Sequence, residues 1–240
     1  MLMRTTPARI RPLRPARNAA FTLTDLLVTV AVASLVIAVA IAVATRVSAK
    51  SKLTQCLANL QQVNGAVLKF AEDNGRALPS NEGSPAPGGW WWYKELVKGY
   101  TGLTGASSAK DAVFACPMDR GYGDGPGESR PFCQSARHDF TSYVFNGVDL
   151  PGIPNVAGRK LASIPTPAHT LLVMEWTAHA PLSWHRSRTG RANIPFYNDA
   201  ESVVAFADGH AALVKIYYDG LNPAFTRDPP PGYAYQYSGD

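Results

Sequence analysis

Hydrophobic residues dominate one stretch near the start of the chain. From Leu26 to Thr45 the sequence carries no charged residue, and most of its side chains are apolar. As an α-helix with a rise of about 1.5 Å per residue, this stretch would be about 30 Å long, which matches the hydrocarbon core of a bilayer. The pattern predicts a transmembrane helix over residues 21–45, with one carboxylate, that of Asp25, close to its start.

Beyond this stretch, hydrophobic residues recur at spacings of three and four, which is typical of one face of an amphipathic helix. They are Leu53, Cys56, Leu57, Leu60, Val63, Val67 and Phe70. No proline interrupts the chain between Phe21 and Lys69, and Asn74-Gly75 is a suitable C-terminal stop. The pattern predicts that the membrane helix continues without a break through residues 46–74.

Residues 75–240 have the pattern of a globular head. Two apolar runs between Ser202 and Lys215 flank Asp208-Gly209, a pair favoured in two-residue type I′ turns because both positions need positive φ. The segment from His169 to Trp176 has the composition of a buried strand. These segments predict a small antiparallel sheet packed on the amphipathic helix, so the expected fold class is α+β.

Positive charge is concentrated at the N-terminus. Basic and acidic residues are equal in number from Phe21 onward, and no acidic residue precedes Phe21. The basic residues of the tail are Arg4, Arg9, Arg11, Arg14 and Arg17. Nucleic-acid binding is therefore not indicated, because it needs basic residues on the folded part. The positive-inside rule places the N-terminus in the cytoplasm and the head outside. A secretory signal cleaved after Ala42-Val43-Ala44 is the alternative to a retained helix.

The segment AFTLTDLLVTVAVASLVIAVAIA, which begins at Ala20, resembles the N-terminus of type IV prepilins and type II secretion pseudopilins. In that family a basic leader ends in a small residue before Phe, and an acidic residue stands at the fifth mature position. The resemblance implies a leader of residues 1–20, which a prepilin peptidase removes between Ala20 and Phe21. It also implies methylation of the Phe21 amine and a role for Asp25 in assembly. Here Ala20 replaces the usual Gly, and Asp25 the usual Glu.

Later segments resemble a large pseudopilin-like group of planctomycete-type bacteria. They are LTQCLANLQQVNGAVLKFAEDNGRALP, FACPMD, SYVFNG, IPTPAHTLLVMEW and FADGHAALVK. The resemblance implies a pilin-like fold and a structural, non-enzymatic subunit of a type II secretion pseudopilus or a type IV pilus-like filament. The implied partners are the prepilin peptidase, other pilin-like subunits in a homo- or hetero-filament, and the inner membrane. The chain would cross that membrane once and carry its head in the periplasm or outside the cell.

The same resemblance offers a reason for an acid in an apolar helix. The resemblance implies that, in such filaments, Asp25 of one subunit pairs with the Phe21 amine of its neighbour inside a dry helical bundle. Each charge alone is unfavourable in lipid, and pairing relieves both. The alternative is that Asp25 lies at the level of the lipid headgroups and is solvated.

The aromatic segment Trp90–Tyr93 is compatible with two roles. Aromatic side chains of this kind fill the core of a small domain, here against the amphipathic helix. They also form platforms on which sugar rings stack. The second role defines an alternative function, a membrane-anchored binding protein whose head recognises a glycan or another ligand.

Two sets of potential metal ligands occur in the head. The first is His179, His185, His210, Asp199 and Asp208, whose spacings fit no standard ligand pattern. The second is Asp119, Asp124 and Glu128, which would suit Ca²⁺ but do not follow the EF-hand pattern. The sequence also lacks a phosphate-binding glycine loop and a Ser or Cys nucleophile motif. We therefore predict no metal, no cofactor and no enzymatic activity, with Ca²⁺ at the loop acids as the alternative.

The chain contains three cysteines, Cys56, Cys116 and Cys133. On the oxidising side of the membrane, one disulfide and one free thiol are expected. A bond between Cys116 and Cys133 would close a glycine-rich loop, whereas one between Cys56 and Cys116 would tie the head to the helix. Because Cys56 and Cys116 both lie in segments that carry the family resemblance, the resemblance favours their pairing.

Overall fold

The structure is a computed structural model that describes residues 22–81, 89–122, 130–148, 150–188 and 196–240. The chain divides after Arg46 into two units. The predicted cleavage position between Ala20 and Phe21 lies outside the described residues, as do Asp124 and Glu128.

A single helix, α1, runs from Leu23 to Asp73. Its first part, up to Arg46, exposes its apolar side chains, including Leu35 at 67%. The most apolar stretch of this helix has a mean hydropathy of 3.0, and none of it is buried. By length and composition, α1 can cross a membrane.

The part of α1 that follows Val47 is amphipathic, as the spacing of its hydrophobic residues predicts. Its buried face consists of Cys56, Asn59, Leu60, Val63, Asn64, Ala66, Val67 and Ala71. The helix ends where expected, because Gly75 has a φ of +67°, and the Asn74 side chain donates to the carbonyl oxygen of Phe70 at 2.8 Å.

Within the described residues, four antiparallel strands form one sheet in the order β1-β2-β3-β4. They are β1 (Tyr143–Phe145), β2 (Leu171–Glu175), β3 (Ala200–Phe206) and β4 (Ala211–Ile216). The combination of a long N-terminal helix with a small antiparallel sheet confirms the predicted α+β, pilin-like layout. A short helix, α2 (Tyr93–Val97), precedes the sheet. The described part of the chain also has 3₁₀ turns at Lys98–Thr101, Ala112–Phe114, Phe132–Gln134, Ala136–His138, Leu161–Ser163, Trp176–Ala178 and Ala224–Thr226.

Both faces of the sheet are covered, which explains why β1, β2 and most of β3 are buried along their length. Side chains on one face, such as Val203 of β3, belong to a hydrophobic cluster with Leu60 and Val63 of α1. Side chains on the other face, such as Val204, belong to a second cluster that contains Tyr235 and Tyr237 from the end of the chain. The C-terminal segment thus covers one face of the sheet, and α1 covers the other.

The turn between β3 and β4 differs from the two-residue type I′ turn that the sequence predicts. Gly209 has a φ of +99°, but Asp208 does not have a positive φ. The Gly209 N–H donates to the Phe206 carbonyl oxygen, and the Phe206 N–H donates to that of His210. The prediction is wrong because the loop has three residues, Ala207–Gly209, and such loops need positive φ only at their last position.

Candidate functional site

The first turn of α1 contains Asp25 and is closed by Thr22. The Thr22 backbone N–H and hydroxyl donate to Asp25 Oδ2 at 3.0 and 2.7 Å, and the Asp25 backbone N–H donates to Thr22 Oγ1 at 3.2 Å. This reciprocal arrangement is a capping box, which satisfies N–H groups that have no partner within the helix. Asp25 therefore has a local role besides any role in assembly.

The capping box leaves part of the Asp25 carboxylate uncommitted. Among the residues that the structure describes, both hydrogen bonds to this carboxylate reach Oδ2, and Oδ1 accepts none. A second donor, such as an amine of another chain, can therefore approach Oδ1 without breaking the cap.

Polar side chains within the uncharged run from Leu26 to Thr45 are satisfied by the helix itself. The hydroxyls of Thr29, Ser34 and Thr45 donate to backbone carbonyl oxygens three or four residues earlier, at 2.6 to 3.0 Å. Such bonds remove the need for water as a partner. Apart from the capping pair, this surface is suited to lipid or to other apolar helices.

The Trp90–Tyr93 segment packs mainly inside the head. Trp92 and Tyr93 are buried, and the half-buried rings of Trp90 and Trp91 contact other rings. Trp90 lies 4.1 Å from His179 between ring centroids, and Trp91 stacks on Trp176 at 5.2 Å. The segment therefore packs as part of the core of the head and does not form an open platform for sugar rings.

A cavity of about 490 Å³ lies beside this aromatic cluster. Its lining residues are Tyr122, Arg130, Phe132, Ser135, Arg137, His138 and Trp176. Burial, followed by the nearby charge of Arg137, lowers the pKa of His138 to about 4. The positive charge at this cavity near neutral pH therefore comes from its arginines, and the tryptophan that lines it is Trp176 rather than Trp90.

The histidines and aspartates considered above as potential metal ligands do not form one cluster in the structure. His179 is enclosed by aromatic rings, and burial lowers its pKa to about 3. His210 bonds Asp208 at the hairpin loop, at 2.6 Å. Asp199 accepts a hydrogen bond from the Tyr233 hydroxyl. His185 lies elsewhere, beside Glu175.

Asp119 is held by protein donors rather than exposed in a loop. Its carboxylate accepts hydrogen bonds from the backbone N–H groups of Gly121 and Cys133 and from the Ser142 hydroxyl, at 2.7 to 3.0 Å. Burial raises its pKa, although these hydrogen bonds oppose the shift. The carboxylate therefore connects Gly121, Cys133 and Ser142, and the Ca²⁺ alternative stays a prediction.

The sulfur atoms of Cys56 and Cys116 form a disulfide, and Cys133 is free. The bond links α1 to the segment before β1. Burial, together with the nearby Asp119, raises the pKa of the Cys133 thiol to about 11. This thiol is therefore largely protonated and unreactive near neutral pH.

A buried polar cluster surrounds this disulfide. His185 Nε2 lies 2.8 Å from Glu175 Oε1 and 4.0 Å from the Cys116 sulfur, and Glu175 Oε2 accepts a hydrogen bond from the Val203 N–H at 2.9 Å. The sequence does not predict this group, because its members are far apart in the chain and follow no motif. The local signals were Glu175 at the end of a buried strand, His185 among the potential metal ligands, and the favoured pairing of Cys56 with Cys116.

Comparisons with protein-family models, with curated proteins and with solved structures found no match for this chain.

Proposed function

We propose that this protein is a membrane-anchored structural subunit of a pilin-like filament, either a secretion pseudopilus or a type IV pilus-like fibre. In this proposal a prepilin peptidase cleaves the chain between Ala20 and Phe21, and the Phe21 amine is methylated. The head then lies in the periplasm or outside the cell. The observation that carries the proposal is α1, one helix with an exposed apolar first part and a second part buried in the head.

An exposed apolar helix of this length needs a partner. A membrane supplies lipid, and a filament supplies the same helix of other subunits. Small residues allow apolar helices to approach one another closely. Those in the first part of α1 include Ala31, Ala33, Ser34, Ala38, Ala40, Ala42 and Ala44. The segment therefore suits both surroundings, as a subunit that leaves the membrane for a filament requires.

Pairing of Asp25 with a neighbouring chain would fix the position of one apolar helix along the next. When the amine of a neighbouring chain pairs with Oδ1, two charges that are each unfavourable in an apolar bundle compensate one another. The capping box with Thr22 fixes the position of the carboxylate at the start of α1. In this proposal the capping box positions the Asp25 side chain, and the negative charge of that side chain drives its pairing with the amine of the neighbouring chain.

Two substitutions separate these roles. Asp25→Asn removes the charge but keeps an oxygen that accepts the capping bonds, whereas Thr22→Ala weakens the cap and keeps the charge. We expect Asp25→Asn to abolish filaments in a shear fraction while the mature monomer stays in the membrane. Asp25→Glu and Thr22→Ala should still assemble.

Glu72→Ala is the matched control, because it removes an exposed acid from the other end of the same helix. Normal filaments from Asp25→Asn would show that the carboxylate only caps the helix.

A second candidate function is a membrane-anchored binding protein, and the observation that favours it is the cavity beside Trp176. Its aromatic and arginine lining suits an acidic sugar, which would stack on a ring and pair with a guanidinium. Arg137→Ala should then weaken binding of an acidic polysaccharide in a pull-down, with Arg227→Ala as the control. Equal binding by both variants would exclude this cavity as the site.

A further inference from the structure

Four side chains from distant parts of the chain converge beneath the surface of the head. Cys56 comes from α1, Cys116 from the segment before β1, Glu175 from the end of β2, and His185 from the segment between β2 and β3. One ligand atom from each, two sulfurs, a carboxylate oxygen and an imidazole nitrogen, lies within 4.8 Å of the others.

A disulfide by itself does not need this environment. The Glu175 side chain is fully buried, and that of His185 is 4% exposed. Buried ionisable groups are costly unless they are paired, and apolar residues of similar size are often as stable or more so in their place. Two hydrophobic neighbours would therefore cover the sulfur atoms at a lower cost. The presence of a carboxylate and an imidazole beside two cysteines points to a further role.

The four groups together form a donor set typical of zinc. Zn²⁺ binds cysteine thiolates, histidine nitrogen and glutamate oxygen in four-coordinate tetrahedral sites. With bonds of about 2.3 Å to sulfur and about 2.0 Å to nitrogen or oxygen, the ligand atoms of such a site lie roughly 3–4 Å apart. The separation of 4.0 Å between Cys116 Sγ and His185 Nε2 already falls in this range.

We propose that reduction of the Cys56–Cys116 disulfide converts this cluster into a tetrahedral site for a thiophilic divalent cation such as Zn²⁺. A phosphine reductant takes an oxygen atom from water and loses two electrons to the disulfide, whose sulfurs become thiols with the two protons of that water. The cation then displaces both thiol protons to solvent. It is bound by the two thiolates, by His185 Nε2 and by a Glu175 oxygen.

The cation has a structural consequence for the head. Reduction alone removes the covalent link between α1 and the segment before β1 and leaves two buried thiols beside the contact between Glu175 and His185. A bound cation restores a link between these elements and extends it to β2 through Glu175. The head therefore keeps α1 attached to the sheet in both redox states.

The rival explanation is purely structural. Glu175 accepts the Val203 N–H and so holds β2 against β3, and His185 is the buried partner of this carboxylate. That explanation predicts no preference for thiophilic cations and no dependence of metal binding on the state of the disulfide.

The test uses the full-length chain in detergent, reduced with a water-soluble phosphine and freed of reductant without air. Co²⁺ serves as the probe, because tetrahedral thiolate coordination gives intense visible bands and sulfur-to-cobalt charge-transfer absorption. We expect one equivalent of Co²⁺ to bind with these features and Zn²⁺ to displace it. The oxidised protein should show no such absorption, and Zn²⁺ should raise the melting temperature of the reduced protein only.

Variants identify the ligands. Glu175→Gln and His185→Gln should weaken the affinity of the reduced protein for Co²⁺ by more than the roughly 10–100-fold that loss of an outer-shell partner costs. Cys133→Ser should bind as the wild type does. The melting temperature of each oxidised variant shows whether it folds.

Absence of charge-transfer bands in the reduced wild-type protein would overturn the proposal. Equal Co²⁺ binding by the oxidised protein, or unchanged affinity in folded Glu175→Gln and His185→Gln, would do the same.

Discussion

The disulfide offers the most quantitative test of how the head is held to α1. Cys56 and Cys116 are 60 residues apart in sequence, and both are buried. In the chain-entropy treatment, a bond that closes a loop of this length disfavours the unfolded chain by about 4 kcal/mol at 25 °C. Replacement of both residues by alanine removes the bond without leaving a buried thiol. The double variant Cys56→Ala/Cys116→Ala should therefore lose about 4 kcal/mol of unfolding free energy.

Urea unfolding, followed by tryptophan fluorescence in detergent without added metal, measures this loss. The fully buried Trp184 is a suitable reporter. For a folded unit of this size, a loss of about 4 kcal/mol corresponds to a fall in melting temperature of roughly 8–16 °C. Cys133→Ala is the control, because it removes the free thiol and leaves the bond intact. A double variant within about 1 kcal/mol of this control would refute the argument that the bond constrains the unfolded chain.

The remaining predictions concern the hairpin and a buried histidine. Gly209→Val should destabilise the head by about 1–3 kcal/mol, because a β-branched residue is strained at a φ of +99°. Asp208→Asn should change thermal stability little, since Asn still accepts the His210 N–H. Equal melting temperatures for both variants would contradict the three-residue loop. Burial lowers the pKa of His179 to about 3, below its value of about 6.5 in the unfolded chain, so the unfolded state binds more protons between these values. The free energy of unfolding should therefore fall as pH decreases from about 6.5 to about 3. In urea titrations, His179→Phe should reduce this dependence of unfolding free energy on pH. An unchanged dependence would mean that His179 is protonated in the folded head.

Periodic patterns predicted the large elements of the fold. The run without charge and the three-four spacing after it identify α1, and its end at Asp73 follows from Asn74-Gly75. The buried strand and the hairpin were also predicted, because apolar runs and their turn residues are local signals. The turn itself was predicted wrongly, because the Asp-Gly pair is compatible with loops of two or three residues, and strand register decides between them.

Features that depend on distant residues were not predictable in the same way. β1 has only three residues, too few for a periodic signal, and its pairing with β2 defines it. Glu175 and His185 meet the sulfurs of Cys56 and Cys116 only because the sheet packs on α1. By contrast, the Thr22–Asp25 capping box is a local Thr-x-x-acid pattern and was available from the sequence.

The mass of the N-terminal peptide tests the central claim most directly. The protein is purified from membranes of cells that contain a prepilin peptidase, digested, and analysed by tandem mass spectrometry. A filament subunit should begin at Phe21 and carry one methyl group on its terminal amine. A chain that retains Met1 would be a simple membrane anchor. A chain that begins at Thr45 would have lost the apolar part of α1 to a signal peptidase. Either result would contradict the proposed function.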